Sequence, residues 1–417
     1  MENIFLLIII ILVIFILSLI EYKEYRSILT PFNVLVWPYL LIALYVNLFA
    51  IRGGYFPVTA KSIFFVGLNA IVFWLVGQNI WLCIRSKKYT RDFSERFKIF
   101  IVKNRNPLLF ILWIAILASA IQFFQIVAKI GIREIGGEVF DIMYSRGILG
   151  HLALLGYPSF MLLSLSCFVI RDKIVGLSIL FMSFAILVSQ VKYHLILPVV
   201  AIFYFAVLSK IIKKSVIKHL SVTIIIVMAI YFLSYFIGFS TTSGYMHTLE
   251  TFNFLIEHAK LYLIGGPIAL GVVLDRYEYS LPWKAMFQVP INIYRWLGGS
   301  HNLYRTSKSA VDYISVGDKK MTNVGTMFKV VYMCIGFQGS ILFMVVLGIL
   351  VYVIYNLALK RKTILLILLS SWLLSILTFC GFFGYYFNLL LIFEVSFDII
   401  FTLFLIFIYQ SFNLKLY

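Results

Sequence analysis

Eleven times along the chain, apolar side chains run on long enough to cross a lipid bilayer, with charged residues nearly excluded. A span needs about 20 such residues, at about 1.5 Å each, to cover about 30 Å of hydrocarbon. The runs cover residues 3–20, 32–51, 63–84, 107–128, 148–170, 174–191, 193–209, 220–239, 329–355, 364–381 and 386–409. Only Gln190, Lys192, Tyr193 and His194 interrupt the sixth and seventh, so one longer broken helix is the alternative there. No water-soluble fold hides this much apolar surface. The chain is 62% hydrophobic and 12% charged, with a mean hydropathy of +1.01, whereas a soluble domain is about 25% charged. The expected fold is an all-α polytopic integral membrane protein of about 11 transmembrane helices. The first run has no basic leader and no small-residue cleavage site, so it reads as a retained span. Cys83, Cys167, Cys334 and Cys380 lie far apart, without metal or redox spacing, and read as buried single thiols.

The net charge of +18 invites a nucleic-acid reading, but its placement argues against one. Arg85–Asn106 holds eight Lys/Arg against two acids, which sets that segment in the cytoplasm. Alternation from this anchor puts 21–31, 171–173, 210–219, 356–363 and the C-terminal tail inside as well. Together these loops carry 20 of the 35 basic residues. The charge therefore reports topology and contact with anionic lipid, and no nucleic-acid partner is expected. The outward connections are 52–62, 129–147, a turn near 190–194, 381–385 and the long segment 240–328. The chain thus divides into membrane helices over 1–239, a large outer loop over 240–328, and membrane helices over 329–417. Within the loop, Phe252–Leu263 and Ala285–Leu297 mix apolar, aromatic and cationic residues as surface-lying amphipathic helices do. Gly265-Gly266-Pro267 and Gly298-Gly299 read as the breaks between them.

Three outward features offer chemistry. Asp141, Tyr144, Arg146 and Gly147 end one loop, just before a span that carries His151. Lys192 and His194 are polar residues at membrane depth or its edge. The large loop holds Arg276, Lys284, Arg295, His301, Arg305 and Lys308, and ends in Thr322-Asn323-Val324-Gly325-Thr326. Cations on the outer face run against the usual bias, and arginine pairs phosphate oxygens in a bidentate way, so a phosphate-bearing lipid substrate is indicated. His301, in a Gly-Gly-Ser-His-Asn turn between Arg295 and Arg305, is the candidate base, since imidazole accepts a proton near neutral pH. In the last span Glu394 and Asp398 lie four residues apart on one helix face, and carboxylates at that depth face a cavity or a partner. Their role stays open between a proton path, a polar wall beneath the outer site, and packing. The chain has no Walker loop, Rossmann glycine pattern, HExxH or Gly-x-Ser-x-Gly, and no cofactor is expected.

The layout resembles the Wzy-type O-antigen polymerases, the repeat-unit polymerases of bacterial surface polysaccharide synthesis. The likeness covers nearly the full length as architecture. It is sharpest at Asp141-Ile142-Met143-Tyr144-Ser145-Arg146-Gly147 and at Thr322-Asn323-Val324-Gly325-Thr326 before an aromatic-bearing span. Tyr332 is present where the family has a Tyr, but the family's Asp-Phe-Gly is replaced by Cys334-Ile335-Gly336-Phe337, so no role passes to that acid. The resemblance implies a GT-C-like glycosyltransferase in the bacterial inner membrane with a periplasmic site. Its substrates would be two undecaprenyl-pyrophosphate-linked glycans, and a chain-length regulator would be its partner. In those terms Arg146, Arg276 and Arg305 contact pyrophosphate, with Lys192 and Arg295 as further cations. His301 activates the acceptor, while Asp141, Tyr144 and Asn323 hold sugar. Two other readings share these features, namely an O-antigen ligase and a lipid-linked oligosaccharide flippase.

Overall fold

The computed structural model describes residues 2–84, 93–132, 135, 140, 143, 147–167, 172–188, 193–211, 216–242, 248–276, 281–299, 313–383 and 389–413. Its helices are α1 (Glu2–Tyr25), α2 (Pro31–Leu48), α3 (Ala60–Ile84), α4 (Phe93–Ile130), α5 (Gly147–Ser166), α6 (Lys173–Val188), α7 (Tyr193–Leu208), α8 (Val216–Thr242), α9 (Thr248–Arg276), α10 (Gln288–Leu297), α11 (Met327–Arg361), α12 (Ile364–Cys380) and α13 (Leu389–Asn413). Strands β1 (Ile314–Gly317) and β2 (Lys320–Thr322) form an antiparallel hairpin. Among the described residues, eight helices are long and apolar enough to cross a membrane, and four shorter apolar ones accompany them. The protein is an α-helical polytopic membrane protein. The runs at 174–191 and 193–209 hold the described helices α6 and α7.

The chain divides into two compact units. The first comprises Met1–Ser86, Ile256–Asn356 and Ile376–Phe393; the second comprises Lys87–Leu255, Leu357–Ser375 and Glu394–Tyr417.

In the first unit, close approach between helices depends on missing side chains. Lipid is as apolar as leucine, so helices associate through tight packing and polar contacts, which favours small residues at their interfaces. A Cβ on Gly77 of α3 would lie 2.4 Å from the Tyr352 ring of α11, so glycine is what admits that tyrosine. The Tyr352 hydroxyl donates to Glu21, a buried carboxylate near the end of α1, which also accepts from Thr30. Thr30 in turn caps α2, accepting from the Asn33 N–H at 3.4 Å, with Pro31 next in line where a missing N–H costs nothing. At the other end of this unit, Tyr55 bridges Gly317, and the Asp318 N–H donates to the Gly54 carbonyl at 2.8 Å. A Cβ on Gly317 would sit 2.3 Å from that carbonyl oxygen, so only glycine lets the hairpin dock on the α2–α3 connection. Helix α11 breaks at Gly336 (φ 70°, ψ −170°), a conformation L side chains rarely adopt. Ser340 Oγ donates to the freed Gly336 carbonyl at 2.6 Å.

In the second unit, Gly156 of α5 faces Ala115 of α4, where a Cβ would meet the alanine methyl at 2.4 Å. Helix α4 bends at Asn104, three residues before Pro107, which has no N–H for the preceding turn. The Asn104 amide donates to the Phe100 carbonyl at 2.7 Å and accepts from Gln410 of α13 at 2.8 Å. The segment expected as a cytoplasmic loop before residue 107 is therefore helical from Phe93. Asp172 caps α6, accepting from the Ile174 N–H at 2.9 Å while paired with Arg105.

One expectation is corrected. Gly265-Gly266-Pro267 does not break the long outer segment, because α9 runs through it. The glycines serve contact instead: a Cβ on Gly266 would fall 2.0 Å from the Phe382 carbonyl oxygen, and one on Gly265 would fall 3.1 Å from Thr322. Farther along α9, Gly271 meets Thr59, and Asp275 pairs with Lys61 at 3.0 Å. All these partners belong to the hairpin end of the first unit. Over this stretch Ile264, Ile268, Ala269 and Leu270 are buried, and α9 is itself one of the eight helices long and apolar enough to cross a membrane, where a surface-lying helix was expected. The second expected break holds: α10 stops at Leu297, and Gly299 takes φ 77°. Helix α10 leaves Ile293, Tyr294 and Leu297 exposed, an apolar face beside its basic last turn.

Candidate functional site

The second unit gathers three ionisable side chains from helices far apart in sequence. His151 stands in the first turns of α5, and its Nδ1 is paired with a Glu394 carboxylate oxygen on α13. Asp398 lies one turn further along α13, because four residues return a helix to the same face. Burial deepens along the set: the side chains of His151 and Glu394 are 64% and 14% exposed, while Asp398 as a whole is 7% exposed. Glu394 and Asp398 both act electrostatically on His151. Asp398 Oδ2 has no hydrogen-bond partner among the described residues, and neither does Thr402 Oγ1 another turn along.

This arrangement has a chemical consequence. A carboxylate on Nδ1 holds the imidazole in the tautomer whose proton lies on Nδ1, which leaves the Nε2 lone pair free. The His151 side chain is itself largely exposed. Among the described residues no set of three or more His, Cys, Asp or Glu is placed to hold a metal ion. Proton transfer is the chemistry these three groups offer.

Behind His151 on α5, a cavity of about 300 Å³, open mouth included, is lined by Ser119, Gln122, Gly150, Tyr157, Met182 and His194 among others. His194 is buried and meets the Tyr157 ring edge-on at 6.0 Å. His194, expected at membrane depth or its edge, is buried within this unit.

Several expected site residues, Asp141, Tyr144, Arg146, Lys192, His301 and Arg305, lie outside the described residues. Arg276 ends α9, and its side chain is likewise outside them. Arg295 occupies the last turn of α10, partly buried. Asn323, half-buried, sits in the turn that leads from the hairpin into α11. In that turn Thr322 Oγ1 accepts from the Val324 N–H at 3.0 Å, and Thr326 Oγ1 accepts from the Lys329 N–H at 3.0 Å, capping the helix. Gly325 gives passage to the buried Lys329 side chain, since a Cβ there would lie 2.6 Å from Lys329 Cδ. Sequence reasoning overlooked Lys329 and Glu21. It paired Glu394 with Asp398 but noted His151 apart from them, and nothing in the sequence joins residues 243 positions apart. The four cysteines are free; Cys334 and Cys380 are buried as expected, whereas Cys83 and Cys167 are exposed.

No curated protein and no solved structure matches the chain. A family match does exist and extends over residues 50–415, nearly the whole of the 417. The chain belongs to that family, described as Family of unknown function (DUF6337).

Proposed function

We propose that this protein is a surface-polysaccharide polymerase, a membrane glycosyltransferase that joins undecaprenyl-pyrophosphate-linked repeat units at the periplasmic face of the inner membrane. The observation that carries the reading is the His151–Glu394 pair at the head of α5. The stretch Asp141–Gly147, where the sequence likeness to Wzy-type polymerases is sharpest, leads directly into that helix. The reaction needs a base at the acceptor hydroxyl and cations at the leaving pyrophosphate.

His151 Nε2 takes the proton as the acceptor oxygen bonds to the donor's anomeric carbon. The bond from that carbon to the pyrophosphate oxygen breaks, and its electron pair leaves with the lipid pyrophosphate. Glu394 holds the imidazole and offsets the charge it gains. Arg146, five residues before His151, and Lys192, two before His194, are the proposed pyrophosphate contacts in this unit. Arg276, Arg295, Arg305 and Asn323 remain proposed contacts to the lipid-linked glycans, with Asp141 and Tyr144 for sugar. His301 keeps the role of a second candidate base. A chain-length regulator and bilayer lipid are the proposed partners, and nucleic acid is not.

Reconstituting the full chain in nanodiscs with a lipid-pyrophosphate-linked repeat unit tests the reading. The expected product is a ladder of lipid-linked multimers with release of undecaprenyl pyrophosphate. A donor left entirely as single units by folded protein would refute it.

A further inference from the structure

We propose that His151, Glu394 and Asp398 act as one coupled protonation cluster, in which the two carboxylates share a proton and Asp398 is a positioning residue that sets the charge presented to the imidazole. The geometry comes from two helices. Glu394 and Asp398 occupy one face of α13, and His151 of α5 closes on Glu394. Asp398 is 7% exposed and its Oδ2 has no hydrogen-bond partner among the described residues, and one turn on the fully buried Thr402 Oγ1 has none among them either. Burying polar atoms in this way is costly. Among the described residues, Asp398 interacts electrostatically with Glu394 and His151, and His151 with Glu394 and Asp398.

Two carboxylates one turn apart, away from water, do not both stay ionised cheaply, so one proton held in common is their low-energy arrangement. With that proton in place, the imidazole faces a single negative charge. It can then take up the acceptor proton on Nε2 and release it to water in the next half-cycle. With both carboxylates charged, imidazolium would be held too firmly to turn over. The inference uses the proposed base role of His151 for this consequence, while the coupling itself does not depend on what the acceptor is.

Nitrogen-15 NMR titration of histidine in the full chain, held in nanodiscs, reads the cluster directly. His151→Gln assigns its signal among the six histidines. The wild-type His151 signal should titrate in two steps, as groups coupled by more than about one unit do. Asp398→Asn should reduce this to one step, and Asp398→Glu should restore two. A buried residue that only packs would leave the titration unchanged. A single-step wild-type curve that Asp398→Asn does not alter would overturn the proposal. Should Asp398→Asn fail to fold, Glu394→Gln decides the matter, with collapse to one step expected and an unchanged curve counting against coupling. If nanodisc-held protein joins no repeat units while the two-step titration is present, the polymerase reading falls and the cluster stands.

Discussion

His151 gives Nδ1 to Glu394 and keeps Nε2 for whatever approaches α5, so the two residues carry different kinetic signatures. Removing a general base costs about 100-fold or more in turnover, whereas removing the residue that orients it costs about 10- to 100-fold. His151→Gln is therefore expected to lose nearly all polymer formation. Glu394→Gln should slow it by about 10- to 100-fold with substrate affinity little changed, measured as initial rates on lipid-linked substrate. At Asp172 the account predicts a stability effect instead. Its pairing with Arg105, and then its α6 amide contacts, hold its carboxyl below the ordinary range. A depressed carboxylate stabilises the fold above its unfolded value of about 3.9, and loses that contribution as pH falls through the native value. Thermal melting in detergent should thus fall off below about pH 4 in the wild type, and Arg105→Gln should flatten that dependence. Single residues were only partly legible in the sequence. An acid or histidine inside an apolar run announces itself, as His151, Glu394 and Asp398 did. Glu21 borders a loop and reads as solvated, yet Tyr352, 331 positions away, donates to it in the interior.

Run length and charge suffice to find most helices, because crossing lipid demands both at once. They do not tell what a glycine is for. In water Gly-Gly-Pro punctuates a chain, but in α9 the first two residues let the Phe382 carbonyl and Thr322 come close, and the helix continues. Gly266→Ala should therefore destabilise the protein by about 1–3 kcal/mol, the usual cost of overpacking, or prevent folding. Gly176→Ala on α6, where an added Cβ meets nothing, should be neutral or gain up to about 1 kcal/mol. Melting temperatures of the two variants check this, and equal effects would contradict the contact role. The hairpin was beyond the reach of pattern. Its strands are four and three residues long, and the edge they meet is Tyr55, brought in from the α2–α3 connection. The bend of α4 was foreshadowed by Pro107, whereas the break of α11 at Gly336 depends on a backbone conformation that composition does not display.

For the molecule as a whole, alternation of basic loops predicts the sidedness of the helices. A phosphatase active only outside the cytoplasm should be active when fused at the hairpin turn Asp318–Lys319 and silent at Asp172. The reverse pattern would place the hairpin inside and remove the periplasmic site. Membership of the DUF6337 family covers both units, so whatever the family does belongs to the whole helical assembly rather than to one appended piece. If this assembly extends lipid-linked glycans with His151 as base, lipopolysaccharide gels of a deletion strain, complemented by wild type or by His151→Gln at equal expression, will show it. Deletion is expected to collapse the O-antigen ladder to a single core-plus-one-unit band, wild type to restore the ladder, and His151→Gln not to restore it. A full ladder from His151→Gln would contradict the site, and loss of even the single-unit band on deletion would contradict polymerisation itself.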